Sequence, residues 1–493
     1  MENAPSIFAK QHPKIRQILE QAGSPAKAMC VAMDYAKAKH VALFCNGFGD
    51  ILKKAFPVDN SAAGLESLLA EVRRTCQHRT IRKKHVFFGG EDNPPYVQNF
   101  IRALAAQGYL VVRINAWEAK HQRDNHQAST DTLDLLGIAK TLLQKASYCD
   151  QDQSPASHAL KELSRTRAAF VGQLTECKLQ IHHYVSRLLP GFLNPKRSGI
   201  AAFGSASLAL MAESFSAPQV RHWRGARLIR FLERHGEPEP EKAAERLKGL
   251  AAQALDPCAE LLSCWQNSLS QYLRQYQSLT QSIQCLEQAL AGALAKTPGA
   301  LLTSIGGIGV VLASGLVAEL GQAGSWRALR CLCSYSGIVP RVAQTGGPDQ
   351  PAHTGSVQRR CNHRAKNWVV QAGCSVGKHG PAELKEQYRK LERNGQNADF
   401  IMAKRLLRIA KDLMRRTTVY RPKALLDAQT PNSELATYYA ELWPRLLAKW
   451  NHLLQNWEQL FNPNSALGQW RQMVQQLYQL SLPLPHKGRG QTK

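Results

Sequence analysis

Three observations on the sequence predict an α/β domain followed by a mostly helical remainder. Residues 29–145 alternate short apolar runs with helical patterns. Residues 157–195 and 240–297 carry long helical patterns rich in Leu, Gln, Arg and Glu. From residue 298 onward a Gly-rich helix–turn–helix pattern, a strongly basic stretch and an aromatic-rich helical end follow one another. The chain is long enough for about three domains.

The α/β domain is predicted to span 29–150, after a polar N-terminal extension over 1–28 that has no apolar leader segment. Its strands are predicted from short apolar runs at residues 29–34, 40–45, 51–58, 85–90 and 109–115. Its helices are predicted from apolar spacing and from Pro, Gly and Ser/Thr boundary signals at residues 63–74, 94–108 and 130–143. This order predicts a compact domain with a mixed sheet.

The long helical patterns predict an arm over 151–297 that contains an insert at 196–239. Apolar residues in 266–294 recur about every 3.5 positions, which is typical of a coiled coil used for dimerisation. An ordinary helix pair packed in a bundle explains the same pattern equally well. We predict a homodimer or homotetramer.

The charge of the chain points to a polyanionic partner. It has 63 Lys and Arg against 37 Asp and Glu, a formal net charge of +26. Residues 321–420 hold 18 Lys and Arg against 6 Asp and Glu, so nearly half of the excess lies there. The most apolar stretch, 305–320, is shorter than the ~20 residues of a membrane span. We therefore expect a nucleic-acid partner rather than a membrane, and a cytoplasmic, nucleoid-associated prokaryotic protein.

Cysteine spacing excludes one class of metal site. None of the twelve cysteines forms a C-x-x-C pair, so a zinc ribbon is not expected and buried reduced thiols are.

Four carboxylates stand where strands end or a helix begins. Asp34 ends the first predicted strand, Glu91 follows the fourth, and Asp131 and Asp134 open a helix three residues apart. Acids at the ends of neighbouring central strands can converge, and they then repel one another unless a cation neutralises them. Mg²⁺ or Mn²⁺ suits such oxygen ligands, and two ions ~3.5–4 Å apart would serve phosphodiester chemistry. Taken singly, each acid is equally explained as a helix cap or a solvated surface group.

This ordered set resembles the DEDD transposases of the insertion-sequence 110 family, which include Piv-type DNA invertases and bridge-RNA-guided recombinases. The similar stretches are 31–44, 89–115 and 129–143. Glu91 is followed five residues later by Tyr96, as in the family. The segment S-T-D-T-L-D-L keeps both acids but has Ser129 and Leu135 where the family has Lys and Ala. The resemblance implies a RuvC-like domain of RNase H fold whose metal ligands are Asp34, Glu91, Asp131 and Asp134.

The resemblance extends to a C-terminal transposase domain over 298–425. Residues 301–321 are similar to the family's helix–turn–helix segment, and a Gly-rich turn before a helix lets backbone N–H groups approach phosphate. A tight turn between core helices is the alternative. Residues 357–373 follow the family's basic segment, which could also be a solvated helix face. The candidate nucleic-acid contacts are Gly307, Gly309, Arg341, Gly346, Arg359, Arg360, Arg364 and Lys366. The aromatic tail over 426–493 is interpreted as a packing or oligomer-forming appendage.

At one catalytic position the sequence departs from the family. Residues 326–347 are similar to the segment that carries the family's nucleophilic serine, five residues after the proline of G-x-x-P. Here that position is Thr345. Threonine keeps a hydroxyl, but its methyl group restricts the side chain. Three interpretations stay open: Thr345 attacks the phosphodiester; a nearby serine does so; or activity is lost. The serines concerned are Ser334, Ser336 and Ser356.

The function implied by the resemblance is DNA strand cleavage and rejoining in the movement of an insertion sequence. It includes a covalent hydroxyl–DNA intermediate, a composite site across protomers, and a structured guide RNA that pairs with donor and target DNA. Alternatives are a site-specific invertase of the same family, a metal-dependent junction nuclease that uses water, and a non-catalytic binding protein derived from a transposase.

Overall fold

The structure is a computed structural model of the chain. It describes residues 12–91, 94–123, 130–144, 155–321, 329–343, 353–357, 361–427, 429–454 and 457–484. The chain forms two compact units, Met1–Ser154 and Pro155–Lys493. The second unit contains the predicted arm from residue 155 onward, the predicted C-terminal domain and the tail.

The first unit is built on a five-stranded mixed sheet in the order β3-β2-β1-β4-β5. β1 is antiparallel to β2 and parallel to β4, and β4 is parallel to β5. The strands are β1 (Met29–Asp34), β2 (Lys39–Asn46), β3 (Ile51–Asp59), β4 (Val86–Glu91) and β5 (Leu110–Ile114). The helices are α1 (Pro13–Gln21), α2 (Ala62–Arg79), α3 (Pro94–Ala106), α4 (Ala116–His121) and α5 (Asp131–Gln144). The predicted mixed sheet is confirmed.

Two apolar cores cover the two faces of this sheet. α2 and α3 pack on one face, where they meet Val31, Met33 and Phe88. α1, α4 and α5 pack on the other face, where they meet Ala32 and Phe87. β1 and β4 are therefore buried on both sides, which is why their sequences are continuous apolar runs. α4 was not predicted from the sequence.

The second unit begins with two long helices, α6 (Pro155–Leu188) and α12 (Ala259–Ala295). Arg167 pairs with Glu287, and further along α6 the Cys177 thiol donates to the carbonyl of Tyr272, so the helices run antiparallel. This is a helix pair within one chain. The coiled-coil arm and its role in dimerisation stay predictions.

Between α6 and α12 the insert forms a cluster of short helices with a core of its own. Its helices are α7 (Pro195–Ser198), α8 (Ser205–Ala212), α9 (Ala217–His222), α10 (Gly225–Arg234) and α11 (Pro240–Gln253). They pack against the ends of α6 and α12 around Phe192, Phe215 and Trp223. The continuous helical pattern predicted over 240–297 was wrong at 254–258. Pro257 cannot continue a helix, so the chain turns there and α11 belongs to the insert.

The rest of the second unit packs around one large core. A 3₁₀ helix, Pro298–Ser304, leads through the Gly-rich turn into α13. Two short strands pair as an antiparallel hairpin. The elements are α13 (Val310–Leu320), α14 (Leu329–Tyr335), β6 (Pro340–Ala343), β7 (His353–Val357), α15 (His363–His379), α16 (Ala382–Arg393), α17 (Ala398–Arg416), α18 (Asn432–Ala448) and α19 (Ala466–Tyr478). Tyr439, Trp443, Trp450 and Trp470 of the tail are buried in this core, so they pack within the chain.

Among the described residues, no helix combines the length and apolar character needed to cross a membrane. The cysteines in the described ranges form no disulfide bonds.

Candidate active site

Two of the four predicted acids stand side by side at the carboxyl ends of parallel strands. Asp34 is the last residue of β1 and Glu91 the last of β4. The pairing of Met33 with Gly90 places the two acids at the next position of the same register. Because side chains alternate along a strand, both acids lie on the face that α5 covers.

α5 brings the other two acids to this edge. Asp131 is its first residue and Asp134 lies one turn on, where the helix N-terminus favours negative charge. Gly89 lets α5 approach closely, since a Cβ there would lie 2.3 Å from Leu142 Cδ2. Gly137 does the same for α4, since its Cβ would lie 2.5 Å from the carbonyl oxygen of Ala119. Close packing at these two glycines thus places the start of α5, with Asp131 and Asp134, near the end of β1.

The pKa values of Asp34 and Glu91 are raised in part by the charges of neighbouring acids. The pKa of Asp34 is raised by burial and then by the charges of Asp134 and Asp131. The pKa of Glu91 is raised by burial, then by Asp34 and Asp134. Arg123 opposes both effects. Such mutual repulsion is typical of a cluster that a cation neutralises.

Arg123 partly supplies that neutralising charge. Its guanidinium pairs with Asp134 Oδ1 at 2.6 Å, and both side chains are largely buried. In the described part of the chain, no three carboxylate, thiol or imidazole side chains lie close enough to hold one metal ion. The charges of the acids therefore interact, but their oxygens do not stand in the geometry of a metal site. Their oxygen-only chemistry fits Mg²⁺ or Mn²⁺, and a cation would compete with Arg123 for Asp134.

The structure describes only some of the site residues predicted in the second unit. Thr345, Gly346, Arg359 and Arg360 lie outside the described residues. Arg341 lies on β6, and Arg364 and Lys366 lie in the first turn of α15. Arg364 is exposed, whereas the ammonium of Lys366 lies 5.5 Å from the ring centre of Phe400.

The two turn glycines have different surroundings. Gly307 has φ +82°, and a Cβ there would lie 2.7 Å from the carbonyl oxygen of Ser375 in α15. Its glycine is explained by backbone conformation and packing. Gly309 precedes α13 as its N-cap, and a Cβ there would meet open space. Of the two, only Gly309 leaves room for a phosphate beside a helix N-terminus.

A partly buried ion pair that the sequence did not predict joins α6 to α13. Glu319, at the end of α13, accepts two hydrogen bonds from Arg165 of α6, at 2.9 and 3.1 Å. The Nδ2 group of Asn362 donates to Glu319 Oε2 at 3.1 Å and to the hydroxyl of Tyr335 at 2.6 Å. Burial alone would raise the pKa of Glu319, but the bonds from Arg165 and Asn362 lower it below its ordinary value. Glu319 is therefore a charged, fully paired group.

This cluster ties together the two ends of the segment that carries Thr345. Tyr335 ends α14, and its carbonyl accepts from the backbone N–H of Asn362 at 2.8 Å. Asn362 also caps α15, since its side chain accepts from the N–H groups of residues 364 and 365. These bonds therefore hold residues 335 and 362, which flank the segment 336–361, close together. We call Glu319, Arg165, Asn362 and Tyr335 the clamp. An acid inside the apolar run SGLVAELG was the available sequence signal, because unpaired acids are rarely buried.

Among the alternative nucleophiles, Ser336 is fully buried. Its Oγ has no hydrogen-bond partner within the described residues, and a phosphodiester could not reach it without local opening. Ser334 is half-buried and the side chain of Ser356 is not described.

The sheet order, the acids at the ends of β1 and β4, and the helical second unit fit an RNase H-like N-terminal domain joined to a helical C-terminal part. Residues 31–190 match the family model for the DEDD transposase of IS110, and residues 299–389 match that of the transposase IS116/IS110/IS902 family. The chain belongs to the IS110 family of DEDD transposases. No curated protein matches the chain. Membership implies DNA transposition or recombination, with DNA as a partner.

Proposed function

We propose that the protein cleaves and rejoins DNA strands in a metal-dependent reaction in which the hydroxyl of Thr345 forms a covalent bond to DNA. The observation that carries the metal-dependent part is the edge of the sheet where burial and neighbouring acids raise the pKa of Asp34, through Asp134 and Asp131, and of Glu91, through Asp34 and Asp134. The resemblance to the family supports the covalent part.

The four carboxylates would hold Mg²⁺ or Mn²⁺. The cation supplies charge neutralisation for the phosphodiester and activation of the attacking oxygen. The acids would bind that cation, and the Arg123 guanidinium orients the Asp134 carboxylate. The threonine hydroxyl would attack phosphorus, so that one O–P bond forms to Thr345 and the bond to the leaving DNA oxygen breaks. The proton lost by the threonine hydroxyl is balanced by the proton that the leaving DNA oxygen takes up to become a hydroxyl. Rejoining is the reverse transfer to another DNA end.

The clamp of Glu319, Arg165, Asn362 and Tyr335 would position this hydroxyl. It fixes both ends of 336–361, and Pro340 pairs with Val357 further along the same segment. We assign these groups a positioning role, since they would act through the segment whose ends they hold.

We further propose that the nucleic-acid partners are donor and target DNA and a structured guide RNA, and that protomers combine into a composite site. The net charge of +26 supports a large polyanionic partner. An invertase of the same family would use the same chemistry on inverted sites.

Replacing Thr345 by alanine is expected to abolish a denaturation-resistant protein–DNA adduct. Purified protein, candidate RNA and DNA are incubated with Mg²⁺, and the adduct is resolved on a denaturing gel. Thr354→Ala is the matched control, because Thr354 lies on β7 of the same hairpin and should leave the adduct in place.

An adduct that persists in Thr345→Ala rules out this nucleophile. DNA cleavage by the wild type without any adduct would favour the junction nuclease, which needs only the four acids and water.

A further inference from the structure

The C-terminal segment, residues 429–454 and 457–484, lies beyond residue 389, where the second family match ends. Lys449 directly follows α18 in this segment, and it reaches back to the Gly-rich turn. Lys449 and Ile305, a residue of that turn, are 144 positions apart in sequence.

The ammonium of Lys449 donates to three backbone carbonyl oxygens of that turn. They belong to Thr303, Ile305 and Ile308, at 2.5, 2.7 and 2.9 Å. An ammonium has three N–H bonds, so all of its donors are used. Within the described residues no carboxylate pairs with it. Burial lowers the pKa of Lys449 to about 8, so the group is still mostly protonated at neutral pH.

The next residue reinforces the same contact. The indole N–H of Trp450, a fully buried side chain, donates to Thr303 Oγ1 at 3.0 Å. The hydroxyl of Ser375 donates to the carbonyl of Gly307 at 2.6 Å, and Ser304 Oγ accepts from the backbone N–H of Tyr420 at 2.9 Å. Beside its local hydrogen bonds, the turn is therefore held by several polar groups from later in the chain.

Three backbone carbonyls of one turn converge on a single cationic group. The oxygens come from positions i, i+2 and i+5 and meet at one positive centre. Rings of backbone carbonyls replace the hydration shell of monovalent cations in proteins. A cavity of about 380 Å³ adjoins Lys449 and is also lined by Gly306, His379 and Arg445, which gives a path from solvent.

We propose that the turn from Thr303 to Ile308 is a monovalent-cation site that the ammonium of Lys449 fills permanently. The C-terminal segment thereby supplies an internal cation to the turn before α13. The fold of the turn then does not depend on K⁺ or Na⁺ in solution.

Replacing Lys449 by methionine should convert the filled site into a vacant one. The melting temperature of Lys449→Met is expected to fall by roughly 5 °C in choline chloride, because three buried carbonyls lose their donors. Potassium or sodium chloride at the same ionic strength should recover at least about half of the loss, with a saturable dependence on concentration. The wild type should melt at one temperature in all three salts.

Arg445→Met is the matched control, because Arg445 lines the same cavity but, within the described part of the chain, its hydrogen bonds go to Glu441. It should show no dependence on the cation. If Lys449→Met does not fold, Lys449→Ala decides, since its short side chain also leaves the three carbonyls without a donor and should show the same dependence. Equal melting temperatures of the Lys449 variant in potassium and choline chloride would overturn the proposal, as would a cation-dependent wild type.

Discussion

Glu319→Ala is expected to lower the free energy of unfolding by about 1–3 kcal/mol, because the half-buried Arg165 guanidinium and the amide of Asn362 lose their buried acceptor. The Glu319 side chain is only 1% exposed and accepts from both Arg165 and Asn362. The measurement is urea denaturation followed by tryptophan fluorescence. Glu319→Gln should in addition reduce adduct formation, because the clamp on 336–361 loses its charge.

The chain offers a matched control on the same helix. Arg167 of α6 pairs with Glu287 of α12 at 2.6 Å, but the Glu287 side chain is 23% exposed. Glu287→Ala should cost only about 0.2–1 kcal/mol, since water replaces the lost partner. If the two alanine variants lose equal stability, burial of the Glu319 pair does not have the effect we assign to it.

The pH dependence of the Glu319 pair has a definite sign. Its pKa is lower in the folded protein than its ordinary value, so the folded state favours the carboxylate. Its contribution is fully present above the ordinary glutamate pKa of about 4.3 and is lost as the pH falls through the folded value. The stability difference between wild type and Glu319→Ala should therefore shrink in acid.

Asp34→Asn is expected to reduce Mg²⁺-dependent strand cleavage by roughly 10³-fold, because the loss of a ligand removes several kcal/mol of charge stabilisation. The same substitution should raise the melting temperature in EDTA. The pKa of Asp34 is raised in the folded state, so the unfolding free energy falls as the pH rises above the ordinary aspartate pKa of about 3.9. Asparagine is uncharged, so the substitution removes the repulsion between position 34 and the carboxylates of Asp131 and Asp134.

Asp59→Asn is the control for general charge effects, because Asp59 ends β3 as an exposed acid 3.9 Å from Lys39. It should change neither cleavage nor the response to Mg²⁺. Full cleavage by Asp34→Asn, or a melting temperature in EDTA below that of the wild type, would contradict the metal-site proposal.

The edge where the acids meet could be predicted because local patterns determine it. Apolar runs of six residues, each followed by or ending in an acid, predicted β1 and β4, and the parallel pairing of these strands brings Asp34 and Glu91 together. The D-x-x-D pattern predicted the start of α5. Arg123 was missed because its contact with Asp134 depends on how closely α4 packs on α5, which glycine at position 137 permits.

The interactions of the second unit could not be predicted because their partners are distant in sequence. Arg165 and Glu319 are 154 positions apart, and Lys449 and Thr303 are 146 apart. No periodicity links such residues, since the link is the packing of α6 on α13 and of the C-terminal segment on the turn. The aromatic tail illustrates the same limit, because its composition predicted packing or assembly without choosing between them.

The most direct test of the central claim is to find where DNA is attached. Trypsin cleaves after Arg330, Arg341 and Arg359, so residues 331–341 and 342–359 are released as separate peptides. The first contains Ser334 and Ser336, and the second contains Thr345 with Thr354 and Ser356. Mass spectrometry of the digested adduct should show the nucleotide on 342–359, and fragmentation should place it on Thr345. A nucleotide on 331–341, or on Ser356, would contradict the account.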